Sequence, residues 1–207
     1  MNKKKKDIRE ILHYDIIENV GIGDIRFGMS EEEFLELYDI EKGKKENLIY
    51  QDKYKNYILF HGGVFLHFTN FAVRTLSLIR LENNFKGKLN GKIGIGSYFG
   101  ELRALRKDIQ FCDDTDSFIL GTGCRFQFML DEDEYPTGEI NGEFIAPAWH
   151  WHRDFHIGKL DHYKIESFSM EPWDRNNPFD KVWWCEYHLN NWIEPEEKYL
   201  EVRYRYP

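Results

Sequence analysis

The sequence predicts an α+β fold made of two related units, each a helix followed by an antiparallel meander of strands, with a closing β-hairpin at residues 181–207. Three observations predict it: a well-marked helix start at Ser30, alternating apolar and polar residues from Tyr57 onward, and a second copy of that alternation 60 residues later. The 207 residues, 42% of them hydrophobic, are enough to bury a core as a single compact chain.

The first unit is expected over residues 14–82 and opens with a helix in the segment IRFGMSEEEFLELY. Ser30 and Glu33 have the spacing of a capping box, in which the hydroxyl accepts from an amide of the first turn and the glutamate accepts from the amide of the cap. Met29 and Phe34 have the spacing of a hydrophobic staple. Both motifs predict that the helix begins directly after Ser30.

The strands of the first unit are expected in NYILF, VFLHF and AVRTLSLIRL, which are separated by turn residues. In the middle strand, Val64, Leu66 and Phe68 alternate with Phe65 and His67. Successive side chains of a strand point to opposite faces, so the first set is expected to face the core.

The second unit is expected over residues 91–170. Its helix is predicted in GIGSYFGELRALRKDI, with Ser97 as the cap and Leu102 and Leu105 on the apolar face. The segment SFILGTGCRFQFML repeats the first hairpin at an offset of 60, which places Cys124 on the inward face of a strand. A packed thiol is therefore expected at Cys124.

An insertion separates the second and third strands of the second unit. The third strands, RTLSL and ESFSM, are 92 residues apart, so the second unit has 32 more residues at this point than the first. We refer to residues 131–163 as the insertion. Loops added to a stable scaffold are a common location of binding specificity, so the insertion is the first place to expect function.

Charge and cysteine content narrow the classes of partner. The net charge of -8 would repel the phosphates of a nucleic acid and favours a basic protein instead. Neither a membrane span nor a signal peptide is recognisable, so no membrane partner is expected. The three cysteines form no C-x-x-C pair, which disfavours a disulfide framework and favours the reducing cytoplasm. The lysines at positions 3–6 are expected to form a solvated tail.

The segment IRFGMSEEEFLELY, followed by a meander, resembles the tandem-repeat fold of β-lactamase inhibitor proteins and of BamE-type envelope lipoproteins. The residues that match the helix-start motif of those repeats are Phe27, Gly28, Met29, Ser30 and Phe34. The longer run ENVGIGDIRFGMS also resembles small bacterial proteins with such repeats, some of which look like immunity proteins of toxin systems. The resemblance implies the repeat fold and agrees with an immunity-type role.

The predicted partner-binding residues all lie in the insertion. They are Asp131, Glu132, Asp133, Glu134, Trp149, Trp151 and Asp154. The four adjacent acids would meet a basic groove on another protein, and the two tryptophans belong to the residue type that dominates interface energies. The predicted function is therefore that of an immunity-type inhibitor, which occludes a cognate basic toxin or enzyme and uses no cofactor and no catalysis of its own.

Two alternative functions use other features. His150, His152 and His156 offer metal-ligating nitrogens, and H-x-H spacing puts two rings on one face of a strand, as a metal-dependent enzyme would need. This cluster matches no established metal signature, and the stronger interpretation is that the histidines are displayed to solvent or to a partner. Alternatively, the aromatic C-terminus VRYRYP would provide an edge strand in a structural subunit of a larger assembly. The acidic run DEDEYPTGE lacks the glycine and glutamate positions of a calcium loop and is expected to be a hairpin tip.

Overall fold

A computed structural model describes residues 4–69, 73–112, 117–120, 124–127, 138–140, 143–145 and 158–171. These residues form helices and antiparallel sheets, as expected for an α+β protein. The predicted C-terminal hairpin lies outside the described residues.

The N-terminal part of the chain packs against the first α-helix. A 3-10 helix, Ile8–His13, precedes a small antiparallel sheet of β1 (Ile16–Ile17), β2 (Gly21–Ile22) and β3 (Ile25–Arg26). The turn between β1 and β2 carries Glu18, which is used below.

Lys5 and Lys6 are not part of a solvated tail, so that prediction was wrong for them. The ammonium of Lys5 donates to the carbonyl of Leu35 at 2.6 Å, and the backbone amide of Lys6 donates to the carbonyl of Leu37 at 2.8 Å. The last carbonyls of a helix have no partner within the helix, and here the lysines satisfy them.

Helix α1 (Glu31–Leu37) begins where the sequence predicts. The amide of Glu33 donates to Ser30 Oγ at 3.1 Å, and the amide of Ser30 donates to Glu33 Oε2 at 2.7 Å, which completes the capping box. Phe34 is fully buried against the sheet. A second short helix, α2 (Ile40–Lys45), follows in a segment where the sequence predicts only a polar stretch.

Helix α3 (Phe99–Leu105) corrects two predictions. Its N-cap is Tyr98, whose amide donates to Glu101 Oε2 at 2.8 Å. Ser97 is not the cap, because its hydroxyl closes the preceding turn by accepting from the amide of Gly94 at 3.1 Å. Leu105 is 45% exposed, so the buried face of this helix consists of Phe99 and Leu102 instead.

The remaining strands of the described residues build a large antiparallel sheet and a small hairpin. They are β4 (Ile49–Gln51), β5 (Tyr57–Leu59), β6 (Val64–Phe68), β7 (Leu76–Glu82), β8 (Ile109–Cys112), β9 (Ser117–Leu120), β10 (Arg125–Gln127), β11 (Gly138–Ile140), β12 (Glu143–Ile145) and β13 (Ser167–Met170). The large sheet has the order β4-β5-β6-β7-β13-β10-β9-β8, and β11 pairs with β12. The sequence predicts three strands per unit, and β4 and β8 add an outer strand that was not predicted.

The order of the large sheet is symmetric about its centre. In the first half, β4 to β7 follow one another from the edge inward, and in the second half β8, β9, β10 and β13 do the same. The two halves join where β7 pairs with β13, with Leu81 opposite Phe168 and Ile79 opposite Met170. All four of these side chains are buried, so the core continues across the junction.

The segments that lead into helices α1 and α3 make the same kind of hydrogen bond to a neighbouring backbone segment. The amide of Gly28 donates to the carbonyl of Leu76 at 2.9 Å, and the amide of Gly96, 68 residues later, donates to the carbonyl of Ile165 at 2.7 Å. Both glycines have a positive φ, 79° and 83°, which a residue with a side chain adopts only under strain. The chain therefore turns into α1 and α3 through the same backbone conformation.

The inner face of the large sheet carries the core. Val64, Leu66 and Phe68 are fully buried, whereas Phe65 and His67 are half-buried on the other face, which confirms the predicted alternation. Cys124 is also buried, as predicted, and burial raises the pKa of its thiol. The thiol is thus a packing group rather than a nucleophile.

The cap of the N-terminal 3-10 helix makes a pH-dependent contribution to stability. Hydrogen bonds from the ammonium of Lys42 and from the amide of Arg9 lower the pKa of Asp7 from 3.8 to about 2. Because the unfolded chain binds this proton more readily, the stabilisation is complete above about pH 4 and is lost as the pH falls toward about 2.

We expect the melting temperature of Asp7→Asn to lie below that of the wild type at pH 5, with the difference shrinking steadily between pH 4 and pH 2. Thermal unfolding followed by circular dichroism measures it. Lys42→Met, which removes the main cause of the shift, should lose the same pH-dependent part. A difference that stays constant down to pH 2 would refute the assignment.

Candidate protein interface

The residues predicted to bind a partner or a metal are not placed by the structure. Asp131 to Glu134, Trp149, Trp151 and Asp154 lie outside the described residues, as do His150, His152 and His156. The structure does describe strands β10 and β13, which flank the insertion in the sequence, and helix α3, which contacts its C-terminal end.

The insertion leaves and rejoins the large sheet at neighbouring positions. Gln127, the last residue of β10, is paired with Ser167, the first residue of β13, and Arg125 is paired with Ser169. These two strands lie near the middle of the sheet, with β7 on one side and β9 on the other. The two strands that flank the insertion in the sequence are therefore paired with each other in the interior of the sheet.

Part of the insertion forms a hairpin of its own. Strands β11 and β12 are antiparallel, with Gly138 opposite Ile145 and Ile140 opposite Glu143. Only residues 141 and 142 join them, and Asn-Gly is the sequence most typical of a two-residue hairpin turn. Of the run DEDEYPTGE, predicted to be a hairpin tip, residues 131–137 lie outside the described residues and the last two residues belong to β11. The Asn-Gly signal was missed.

The C-terminal end of the insertion is fixed to helix α3. The amide of Gly100 donates to the carbonyl of Asp161 at 3.1 Å, and the amide of Phe99 donates to the carbonyl of Tyr163 at 2.8 Å. Leu160 is fully buried beneath this turn. Residues 158–163 therefore belong to the packed fold, although they fall within the predicted insertion.

A bidentate ion pair adds to this attachment. Arg103 Nε donates to Asp161 Oδ1 at 2.7 Å, and the second nitrogen, Nη2, donates to Oδ2. The hydrogen bonds to Asp161 raise the pKa of the Arg103 guanidinium. His162 stacks on Tyr163, with ring centroids 4.2 Å apart.

The surface around this turn carries aromatic and basic side chains. Tyr98 is 48% exposed, and the ammonium of Lys164 lies 5.5 Å from its ring centroid. Lys159 and His162 are exposed on the same turn. Of these side chains, the exposed tyrosine is the type most suited to contact another protein.

A second polar network lies on the outer face of the large sheet. Asn56 Nδ2 donates to Asp52 Oδ2 at 2.9 Å, and Asn56 Oδ1 is 2.8 Å from Nδ1 of His67. Because the amide oxygen accepts, the imidazole must donate through Nδ1. The network orients His67, but it contains no hydroxyl or thiol that the imidazole would activate. Among the described residues, no group of three histidine, cysteine or acidic side chains is arranged to hold a metal ion.

No protein-family model, curated protein sequence or solved structure matches this chain. In the part of the chain that the structure describes, no helix has the length and apolar character needed to cross a membrane.

Proposed function

We propose that this protein is a protein-binding module, most specifically an immunity-type inhibitor that neutralises a cognate basic toxin or enzyme. The observation that carries the proposal is the framework around the insertion: strands β10 and β13, which flank it in the sequence, pair with each other, and residues 158–163 are hydrogen-bonded to helix α3. Ordered flanking elements favour binding because they limit the conformational entropy that the segment between them loses when it meets a partner.

We propose further that the two halves are copies of one repeat. Three features support this: the inward order of strands in each half, the glycine pair Gly28 and Gly96, and the glutamate caps Glu33 and Glu101. Both pairs are 68 residues apart, and so are the buried residues Phe34 and Leu102. On this view the insertion is an addition to one copy of a stable scaffold.

Inhibition would proceed by occlusion. The net charge of -8 steers a basic partner toward the protein, and the run Asp131 to Glu134 gives that attraction a local focus. Trp149 and Trp151 then supply apolar contact area, so that the insertion covers or fills the partner's active site.

The tryptophans are expected to account for most of the affinity. We expect Trp149→Ala/Trp151→Ala to weaken binding to the cognate partner by about 100-fold or more, chiefly through faster dissociation. The partner is first identified as a basic protein encoded beside this gene that co-purifies from the native host. Surface plasmon resonance with that purified protein then gives both rate constants.

Neutralising the four acids is expected to act differently. A variant with Asp131→Asn, Glu132→Gln, Asp133→Asn and Glu134→Gln should associate about tenfold more slowly at low salt, with little change in dissociation. The matched control for the tryptophan variant is Tyr54→Ala, at an exposed tyrosine of the β4–β5 turn, which should bind as the wild type does. Unchanged binding by both insertion variants would overturn the proposed function.

A further inference from the structure

The attachment of the insertion to α3 depends on two positions that have no side chain. A Cβ atom at Gly100 would lie 2.9 Å from the Cβ of Asp161, and a Cβ atom at Gly158 would lie 2.8 Å from Nη2 of Arg103. Gly158 also has a φ of 75°, which disfavours any other residue there. Because neither glycine has a Cβ atom, the side chains of Arg103 and Asp161 have room to form their ion pair.

The first half of the fold lacks this arrangement. At the offset of 68 that relates the two helix starts, Gly100 corresponds to Glu32 and Arg103 corresponds to Leu35. Leu35 packs on the hydrophobic core, whereas Arg103 reaches outward to Asp161. The glycine and the arginine thus occur in the copy that carries an insertion and not in the copy that lacks one.

The ion pair between Arg103 and Asp161 is suited to fixing the orientation of the turn at residues 158–163 relative to helix α3. Two parallel hydrogen bonds hold the planar guanidinium and the carboxylate in one relative orientation, which a single contact would not do. The side chains remain 35% and 34% exposed, so the pair contributes little to global stability compared with its effect on local geometry.

We propose that Arg103, Asp161, Gly100 and Gly158 form a positioning site that holds the C-terminal end of the insertion, residues 158–163, in one orientation against helix α3 and so orients the insertion toward its partner. This inference rests on the proposed function for its purpose, because it takes the insertion to be the partner-binding segment. The attachment itself can be tested without any partner.

The test is cleavage after Lys159 in the full-length protein by a lysine-specific endoprotease. Lys159 is exposed, but it lies in a turn closed by a hydrogen bond from the amide of Asp161 to the carbonyl of Gly158, and a protease must open such a turn before it cuts. Arg103→Ala is expected to speed this cleavage about two- to fivefold, and the exchange Arg103→Asp/Asp161→Arg should restore most of the protection. Gly158→Ala, which adds steric overlap and backbone strain, should accelerate it about tenfold or more.

Matched controls separate the positioning site from general destabilisation. Gly91 has a φ of 67° and open space around it, so Gly91→Ala introduces similar strain in the turn closed between Leu89 and Ile93 and should leave cleavage after Lys159 unchanged. Arg9→Ala removes a comparable surface ion pair and should do the same. Cleavage after Lys159 that does not respond to Arg103→Ala and Gly158→Ala would overturn the inference.

Binding to the purified partner completes the test. If the site positions the insertion, Arg103→Ala should weaken binding about tenfold and the charge exchange should restore it. Faster cleavage with unchanged affinity would overturn the positioning role while leaving the proposed function standing. Conversely, if the tryptophan variant binds as the wild type does, the proposed function fails, and the cleavage measurements still decide whether the attachment exists.

Discussion

Replacing Phe34 with alanine is expected to lower the free energy of unfolding by about 3–5 kcal/mol, as large-to-small changes at fully buried aromatic residues do. The ring of Phe34 lies 5.2 Å from that of Tyr57, 5.5 Å from that of Tyr38 and 5.8 Å from that of Phe68. It therefore joins helix α1 to strands β5 and β6, and its loss would leave a cavity in the aromatic centre of the first half. Urea denaturation followed by circular dichroism measures the change.

Two further variants define what the ring contributes. Phe34→Leu keeps most of the apolar burial and should cost less than half as much as the alanine variant. Leu35→Ala, at a partly buried position of the same helix, controls for the effect of alanine on helix α1 and should cost about 1 kcal/mol. A loss for Phe34→Ala no larger than that of Leu35→Ala would show that the aromatic cluster does not hold the first half together.

The parts of the fold that were predicted are those whose signals are local. The capping box at Ser30 and the alternation around Leu66 each depend on residues within a few positions of one another, and both were confirmed. Strand β4 has only three residues and follows a polar stretch, so no alternation could develop in it. At Ser97 the residue type suggested a cap, but the turn that begins at Gly94 had already engaged its hydroxyl. The backbone amide of Gly94 therefore determines that Ser97 is not the cap, and the residue type of Ser97 alone does not indicate this.

The framework of the insertion was predicted only in part. Comparing strands at fixed offsets predicts where the insertion lies, because the two-residue alternation of strands can be aligned between two segments of one sequence. Its attachment to α3 was not predicted, since Arg103 and Asp161 are 58 positions apart and each looks like an ordinary surface charge. A sequence signal for it is the offset of 68 between Gly28 and Gly96, at which Arg103 falls on the position of the apolar residue Leu35.

Arg106 links the N-terminal sheet of β1, β2 and β3 to the second half of the fold. Arg106 contacts Glu18 in the β1–β2 turn, and it donates to Asp108 at 2.7 Å through Nε and at 2.5 Å through Nη2. The side chains of Arg106 and Glu18 are only 16% and 12% exposed, so their attraction is weakly screened by water. The hydrogen bonds to Asp108 and Glu18 raise the pKa of Arg106, which therefore stays charged throughout the accessible pH range.

Arg106→Met is expected to lower the free energy of unfolding by about 3 kcal/mol, near the low end of the range for a broken buried ion pair, because both side chains keep some contact with water. Stability is lost because Glu18 no longer contacts the guanidinium while its carboxylate stays in a nearly buried position. The double variant Glu18→Met/Arg106→Met removes both charges and should recover at least half of that loss, since the desolvation cost of the carboxylate disappears with it. Urea denaturation of the wild type, both single variants and the double variant forms a complete cycle.

Arg9 is the matched control for this prediction, because it also bridges two acids, Asp7 and Glu46, but with half of its side chain exposed. Arg9→Met should cost less than about 1 kcal/mol, as exposed ion pairs do. If Arg106→Met cost no more than this control, the contact with Glu18 would be incidental. If the double variant were as unstable as Arg106→Met, the aliphatic packing of the arginine would explain the loss, and the charge pair would not. The expected pattern, a large single loss and a partial recovery, would show that this nearly buried pair of charges contributes to fastening the N-terminal sheet to the second half, beside the apolar packing that the two share.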